Sequence, residues 1–219
     1  MLKSIVMKRF FTTLLAASMM LAGTSAFAQI SVGAGYLNST NKTTNGKTSK
    51  TSLPSNGFYA GAEYLITEDT GFGISVGAYY SYTTSTAKTG FTLFGVNLGA
   101  SSKVEEMYLD IPVHFNFSAA LTPALKGLFF VGPDFNYCLS STTEVAGSIG
   151  SYGGTSDKIN NLASDSNRFD VMLGGGVGID YNDKIRLTLG YDFGLLNKID
   201  SEEITQTRNM LKVGIAFLF

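Results

Sequence analysis

The chain has 219 residues, enough for one domain with a sizeable core or one closed barrel. Charged residues make up only 15% of it and hydrophobic residues 44%, with 25 glycines, which excludes a disordered chain and a basic nucleic-acid binder. One cysteine, Cys138, excludes an internal disulfide and reads as a small lumen or core residue.

In chain order, residues 1–28 come first and have the layout of a secretory signal peptide. Lys3, Lys8 and Arg9 form its positive region, Phe10 to Ala22 its apolar region, and Ala26-Phe27-Ala28 its cleavage site. Removal would start the mature protein near Gln29, leaving residues 29–219 as a single barrel domain. It would also leave thirteen basic against seventeen acidic residues, a net charge of −4. No cysteine follows the site, so a lipid anchor is not expected. No later apolar run reaches the length of a spanning helix.

From there the pattern has period two. Segments 30–37, 57–66, 71–82, 106–117, 128–139, 168–181, 185–195 and 209–219 each set apolar residues on one side against Gly, Ser and charged residues on the other. In 71–82, for example, Phe72, Ile74, Val76, Ala78, Tyr80 and Tyr82 oppose Gly73, Ser75, Gly77, Tyr79 and Ser81. Alternation of this kind marks strands lying between two different solvents. The connections alternate too: 38–56, 83–105, 140–167 and 196–208 are long and polar, whereas 67–70, 118–127 and 182–184 are short. The expected fold is therefore all-β, an eight-stranded antiparallel up-and-down transmembrane β-barrel with its long loops on one rim and both termini on the other.

Glycine placement decides which face is inside. Gly33, Gly61, Gly73, Gly77, Gly132, Gly174, Gly176, Gly178, Gly190, Gly194 and Gly214 all fall on the polar side. A water-facing strand surface gains nothing from glycine, whereas a narrow eight-stranded lumen needs small side chains to close. On the apolar side two aromatic girdles are expected, Tyr36, Phe58, Tyr82, Tyr137, Phe169 and Phe193 near the long loops and Phe72, Phe117, Phe129, Tyr181, Phe217 and Phe219 near the short turns. The glycine run "GGGVG" lies inside a strand, without the strand-to-helix context of a phosphate loop.

The motifs "YLDIP", "NRFDVMLGGGVGIDY", "YDFGLLN" and the terminal "VGIAFLF" resemble the PorT-like outer-membrane β-barrel domain family of Bacteroidetes, small barrels of the OmpA/OmpX kind. The resemblance covers nearly the whole mature chain, with the long loops matching least. It implies export to the bacterial outer membrane, long loops outward and termini periplasmic, and an accessory part in protein secretion. The final Phe219 on an amphipathic last strand resembles the signal read by the outer-membrane barrel assembly machinery. The family usually has a basic residue late in strand four, where this chain has "VHFNF", so residue roles are not copied across.

The polar side of the strands carries the candidate site. Asp110 and the chain's one histidine, His114, point the same way but lie roughly 13 Å apart along a strand, too far for a direct pair. Glu63, Glu106, Asp134, Asp170, Asp180, Asp192, Arg168, Arg186 and Lys212 share the expected lumen. A histidine among carboxylates can serve a barrel-embedded hydrolase as base, but no serine or metal partner is recognisable. Buried lumen charges must be paired or hydrated. The expectation is therefore a polar lumen network of Glu63, Asp110, His114, Asp134, Asp170, Arg186, Asp192 and Lys212, with no catalytic, cofactor or metal site.

Pro112, mid-strand in "YLDIPVHFNF", predicts a bulge or a lost ladder bond, because a closed barrel has no free edge to excuse its missing N–H. Expected partners are outer-membrane lipid and lipopolysaccharide, the assembly machinery, and an envelope protein met through the long loops, with no nucleic acid. Lys42, Lys47 and Lys50 stand in an acid-free loop suited to phosphates, and "GFTLFGVNLGA" is apolar enough to extend two strands or to dock. The expected function is a non-enzymatic structural or interaction role in the envelope, ahead of a secretion accessory and a narrow ion-conducting pore. Eight strands leave an interior too narrow for a wide channel.

Overall fold

Each alternating stretch of the sequence is a β-strand in the computed structural model, which describes residues 27–45, 49–67, 71–93, 96–149, 152–163, 168–197 and 204–219. The strands are β1 (Phe27–Asn45), β2 (Ser49–Thr67), β3 (Phe72–Leu93), β4 (Val96–Thr122), β5 (Leu125–Ile149), β6 (Tyr152–Asn160), β7 (Phe169–Tyr181), β8 (Ile185–Gly194) and β9 (Ile204–Leu218). All neighbours are antiparallel, and β1 pairs with both β2 and β9 while β4 pairs with both β3 and β5, which closes the ring. Eight strands form the barrel, with β6 standing outside the ring against β5. Most of the expected signal segment, including Ala26 of its cleavage site, lies outside the described residues; β1 pairing begins at Phe27, opposite Thr67.

The short-turn rim is built by local chemistry. Between β7 and β8, Asn182 and Asp183 adopt φ of 51° and 53°, and the Lys184 N–H donates to Tyr181 O at 3.1 Å. That is a type I′ turn, whose twist matches the flanking strands and whose two left-handed positions suit Asn and Asp. Between β4 and β5 the Thr122 hydroxyl accepts the N–H groups of Ala124 and Leu125 at 3.3 and 3.1 Å. The connection there is two residues, Pro123 and Ala124, where the sequence suggests ten.

The long-hairpin rim departs from expectation more. The stretches read as polar loops are largely strand: β1 runs on to Asn45, β3 to Leu93, and β5 to Ile149 with β6 folding back beside it. These residues are rich in Thr, whose β-branched side chain suits a strand. Beyond the lipid both faces meet water, so the alternation that betrays a membrane strand is lost although the pairing continues. The "GFTLFGVNLGA" stretch extends β3 and β4, with Gly90 opposite Gly99 and Leu93 opposite Val96. Pairing of β2 with β3 stops at Asn56 and Thr84, so Pro54 pairs on one side alone, with Thr40 of β1.

The expected defect at Pro112 is a loss of pairing. Towards β3 the ladder runs through Val76 and Val113 and resumes only at Tyr79 and Asp110; towards β5 it breaks between Pro112–Asp134 and Phe115–Val131. Pro133 lies in the second gap, so two residues without N–H groups share this seam. The register is unchanged across both gaps, hence no residue is inserted there. The bulge sits higher, where Met107 pairs with Ser140 and Tyr108 with Cys138, leaving Leu139 as the extra residue.

Outward side chains form an apolar belt bounded by aromatic rows. Tyr36, Phe58 and Tyr82 are direct cross-strand partners at one level, and Phe72, Phe117 and Phe129 at the other. From Phe72 to Tyr82 is roughly 34 Å along the strand. At a tilt of about 40° this becomes roughly 26 Å across the barrel, the height of a bilayer's apolar core. Core and surface are thus inverted relative to a soluble protein: Phe58, Phe117, Phe129, Leu187 and Phe217 are exposed, while Asp134, Asp170 and Asp192 are buried.

Candidate functional site

Because successive side chains alternate across each strand, the residues opposite the apolar belt all converge on the lumen. The glycines let the inner walls approach: a Cβ on Gly176 would sit 2.5 Å from the Phe130 ring. The polar side chains among them fall into three levels.

The level nearest the long hairpins is a plug. Leu37, Tyr108, Met172, Met210 and Arg208 are each no more than 2% exposed and come from β1, β4, β7 and β9. The Arg208 guanidinium lies 3.8 Å from the centre of the Tyr108 ring, a cation–π stack in a desolvated setting. One arm reaches Met210 Sδ at 2.9 Å. Tyr108 donates its hydroxyl to Glu106 at 3.0 Å. Just below, Asp110, Asn136 and Asp170 form one cross-strand row, in which Asn136 donates to Asp110 Oδ1 at 2.9 Å. Cys138, buried, is the cross-strand partner of Tyr108.

The middle level ties opposite walls together. Lys212 on β9 lies 2.9 Å from Asp134 Oδ2 on β5 and 2.7 Å from Asp192 Oδ2 on β8. His114 on β4 donates from Nε2 to Asp134 Oδ1 at 2.9 Å and packs its ring 5.2 Å from that of Phe130. β5 and β9 are not neighbours in the ring, so the Lys212–Asp134 bond crosses the lumen. The level nearest the short turns holds a bidentate pair, Arg186 to Asp180, at 2.7 and 2.8 Å. Asn116 donates to Ser75 at 2.8 Å, and Tyr79 donates to Glu63 at 3.3 Å. Between these two levels lies a cavity of about 90 Å³ faced by Glu63, Asp110, His114, Arg186, Asp192 and Lys212.

The residues singled out in the sequence therefore occupy one lumen: Asp110, His114, Asp134, Asp170, Arg186 and Asp192 buried, Glu63 and Lys212 half-buried. Asp110 and His114 do not meet; each has its own partner on β5. Arg168 does not belong with them. It is exposed ahead of β7, where its guanidinium donates to Leu162 O at 3.4 Å. Arg208 is the residue the sequence reading misses, because β9 begins at Ile204 and not at 209. Its signal was parity with Met210 and Lys212. Phe219 is exposed at the chain end, its N–H donating to Ile30 O at 2.8 Å.

Above the belt, Lys103 and Glu105 on β4 lie 2.9 Å apart, and Tyr82 donates to the same carboxylate at 2.7 Å. The Lys103 and Tyr82 hydrogen bonds hold the Glu105 carboxyl below its ordinary range, and Glu105 raises Lys103 in return. Lys42, Lys88 and Lys158 are exposed at the same end; the side chain of Lys50, and Lys47 altogether, lie outside the described residues.

The family profile of the outer membrane protein beta-barrel domain matches residues 21–200. Ail, the attachment invasion locus protein of Yersinia pestis, is 12% identical over 88% of this chain and 99% of its own, with a TM-score of 0.37. Neisserial surface protein A is 12% identical over 86% and 96%, at 0.38. OprG from Pseudomonas aeruginosa is 11% identical over 90% and 98%, at 0.41. No curated protein matches the chain.

Proposed function

The chain belongs to the outer membrane protein beta-barrel domain family, and from that premise we propose that this integral outer-membrane protein has a structural or interaction role, conducts nothing and catalyses nothing. The observation that carries the reading is the plug: side chains from four strands, all but inaccessible, fill the lumen at the level of Tyr108 and Arg208. His114, engaged by Asp134 and packed on Phe130, serves the network that braces the wall.

In this reading the long hairpins stand outward and both termini are periplasmic. The β3 to β6 extension is the surface offered to an envelope protein, and exposed Lys42, Lys88 and Lys103 face lipopolysaccharide phosphates. Phe219 is the mark read by the assembly machinery; its deletion is expected to lower the fraction of chains that reach the heat-modifiable folded form in cells, with normal refolding in detergent.

Planar-bilayer recording tests the main claim. The wild-type barrel is expected to give no steady conductance; a stable ohmic step would overturn the reading in favour of a narrow pore. The likeness of "YLDIP" and "NRFDVMLGGGVGIDY" to the PorT-like family supports a second reading, an accessory of protein secretion. Loss of secreted cargo on gene deletion, with the envelope otherwise intact, would favour it.

A further inference from the structure

The β3 to β6 extension meets water on both sides, so no difference of solvent obliges its two faces to differ, yet they do. Direct cross-strand partners share a face. One face carries the rows Thr86–Lys103–Glu144–Lys158 and Lys88–Ser101–Ala146, with Glu105 opposite Thr142. The other continues the lumen side of β4 and carries Ser85–Val104–Thr143–Ile159 and Ala87–Ser102–Val145–Asp157. In those two rows Asp157, on the edge strand β6, is the one charge. Val145 is 40% and Ile159 54% exposed, although both stand above the aromatic girdle. Further out, Phe91, Leu98 and Ile149 are cross-strand partners at positions of the same parity. The bulge at Leu139 makes this arrangement. Below it the even-numbered residues of β5 face the lumen, and above it the odd-numbered ones pair with the lumen-side positions of β4. Without the extra residue Glu144 would stand opposite Ser102, and Val145 would join the charged face.

We propose that this uncharged face is where a surface-exposed polypeptide of the envelope docks, held transiently against the sheet. The inference rests on the interaction role proposed above and names the face that serves it. A sheet apolar on one side is stable when that side is covered. The remaining connections at this end, 46–48, 164–167 and 198–203, hold Ile199 as their one large apolar residue, so the chain has no further apolar segment to lay on it. A second copy in the same membrane is excluded by geometry. The face looks across the barrel's own axis, and sheets stack about 10 Å apart, closer than two barrels can approach. A small molecule calls for a concave pocket, whereas a flat sheet face suits a polypeptide. Four strands of about eight residues present roughly 500 Å², below the roughly 800 Å² per partner of a stable complex, which makes the contact transient.

Photo-crosslinking in intact cells tests it, with the full-length protein carrying p-benzoyl-phenylalanine in place of Val145 or Ile159 on one face, or of Lys103 or Glu144 on the other. Both uncharged-face positions are expected to give one discrete product of higher mass, containing the same second protein by mass spectrometry. Lys103 and Glu144 should give little or none of it. With the probe at Val145, Ile159→Lys is expected to lower the yield roughly tenfold or more, because an unpaired charge enters the contact. Ile159 is exposed, so that variant should keep the heat-modifiable folded form. A product from the charged face alone would overturn this inference and leave the interaction role standing, and silence at all four positions would count against both. Products made only of two copies of this chain or only of lipopolysaccharide, or a yield unchanged by Ile159→Lys, would also overturn it.

Discussion

Replacing Lys212 with methionine is expected to destabilise the folded barrel by about 3–5 kcal/mol, the range for removing one side of a buried ion pair. The reason is geometric. Among the described residues the Lys212 ammonium is the one cation within salt-bridge distance of both Asp134 and Asp192, which are buried. Methionine keeps the length and apolar stem but leaves two buried carboxylates without the ammonium that lies against both. Among the described residues His114 alone then lies within ion-pair distance of Asp134, and Asp192 keeps no cationic partner. Urea unfolding in detergent, followed by heat modifiability on a gel, measures the loss. Adding Asp134→Asn and Asp192→Asn should restore most of it, since the apolar or neutral replacement of a whole buried network is often close to neutral. If the triple variant is no more stable than Lys212→Met, the cost came from packing and the charge argument fails.

The second large effect lies at the plug. Arg208→Ala removes a fully buried guanidinium from above Tyr108 and beside the row containing Asp110 and Asp170. A destabilisation of about 3 kcal/mol or more is expected on the same grounds, together with a change the middle-level variants should not produce. The vacated volume opens the lumen at the level of Tyr108, so small conductance steps are expected in planar bilayers where the wild type is expected to give none. Arg208→Lys is expected to fall between: it keeps the charge but not the planar face that stacks on the phenol ring. Equal silence from the wild type and Arg208→Ala would mean that another layer closes the barrel.

Much of this was legible from period-two alternation together with the placement of the glycines on its polar side. The eight barrel strands, the inward face and the two aromatic rows follow from it, because lipid outside and packed side chains inside impose opposite demands on neighbouring residues. The same cause explains what was missed. Past the girdle both faces meet water, the contrast disappears, and the extensions of β1 to β5, with β6, read as loops. Arg208 was assigned to a loop for that reason, one residue short of the visible alternation. The bulge at Leu139 leaves no trace in composition, since an inserted residue keeps the chain's polar and apolar inventory. At Pro112 the missing N–H gave the position away, and with Pro133 in the neighbouring gap it took the form of unpaired ladder rungs instead of an inserted residue.

The chain's single cysteine offers the most direct test of a closed lumen. Cys138 is 5% exposed and sits across from Tyr108 in the plug layer. A membrane-impermeant maleimide applied to the folded protein in detergent or lipid should leave Cys138 unmodified, and should label it fully once the barrel is unfolded by heat in SDS. Arg208→Ala should react in the folded state at a rate between the two. Rapid, complete labelling of the folded wild-type protein would contradict a lumen filled at this level.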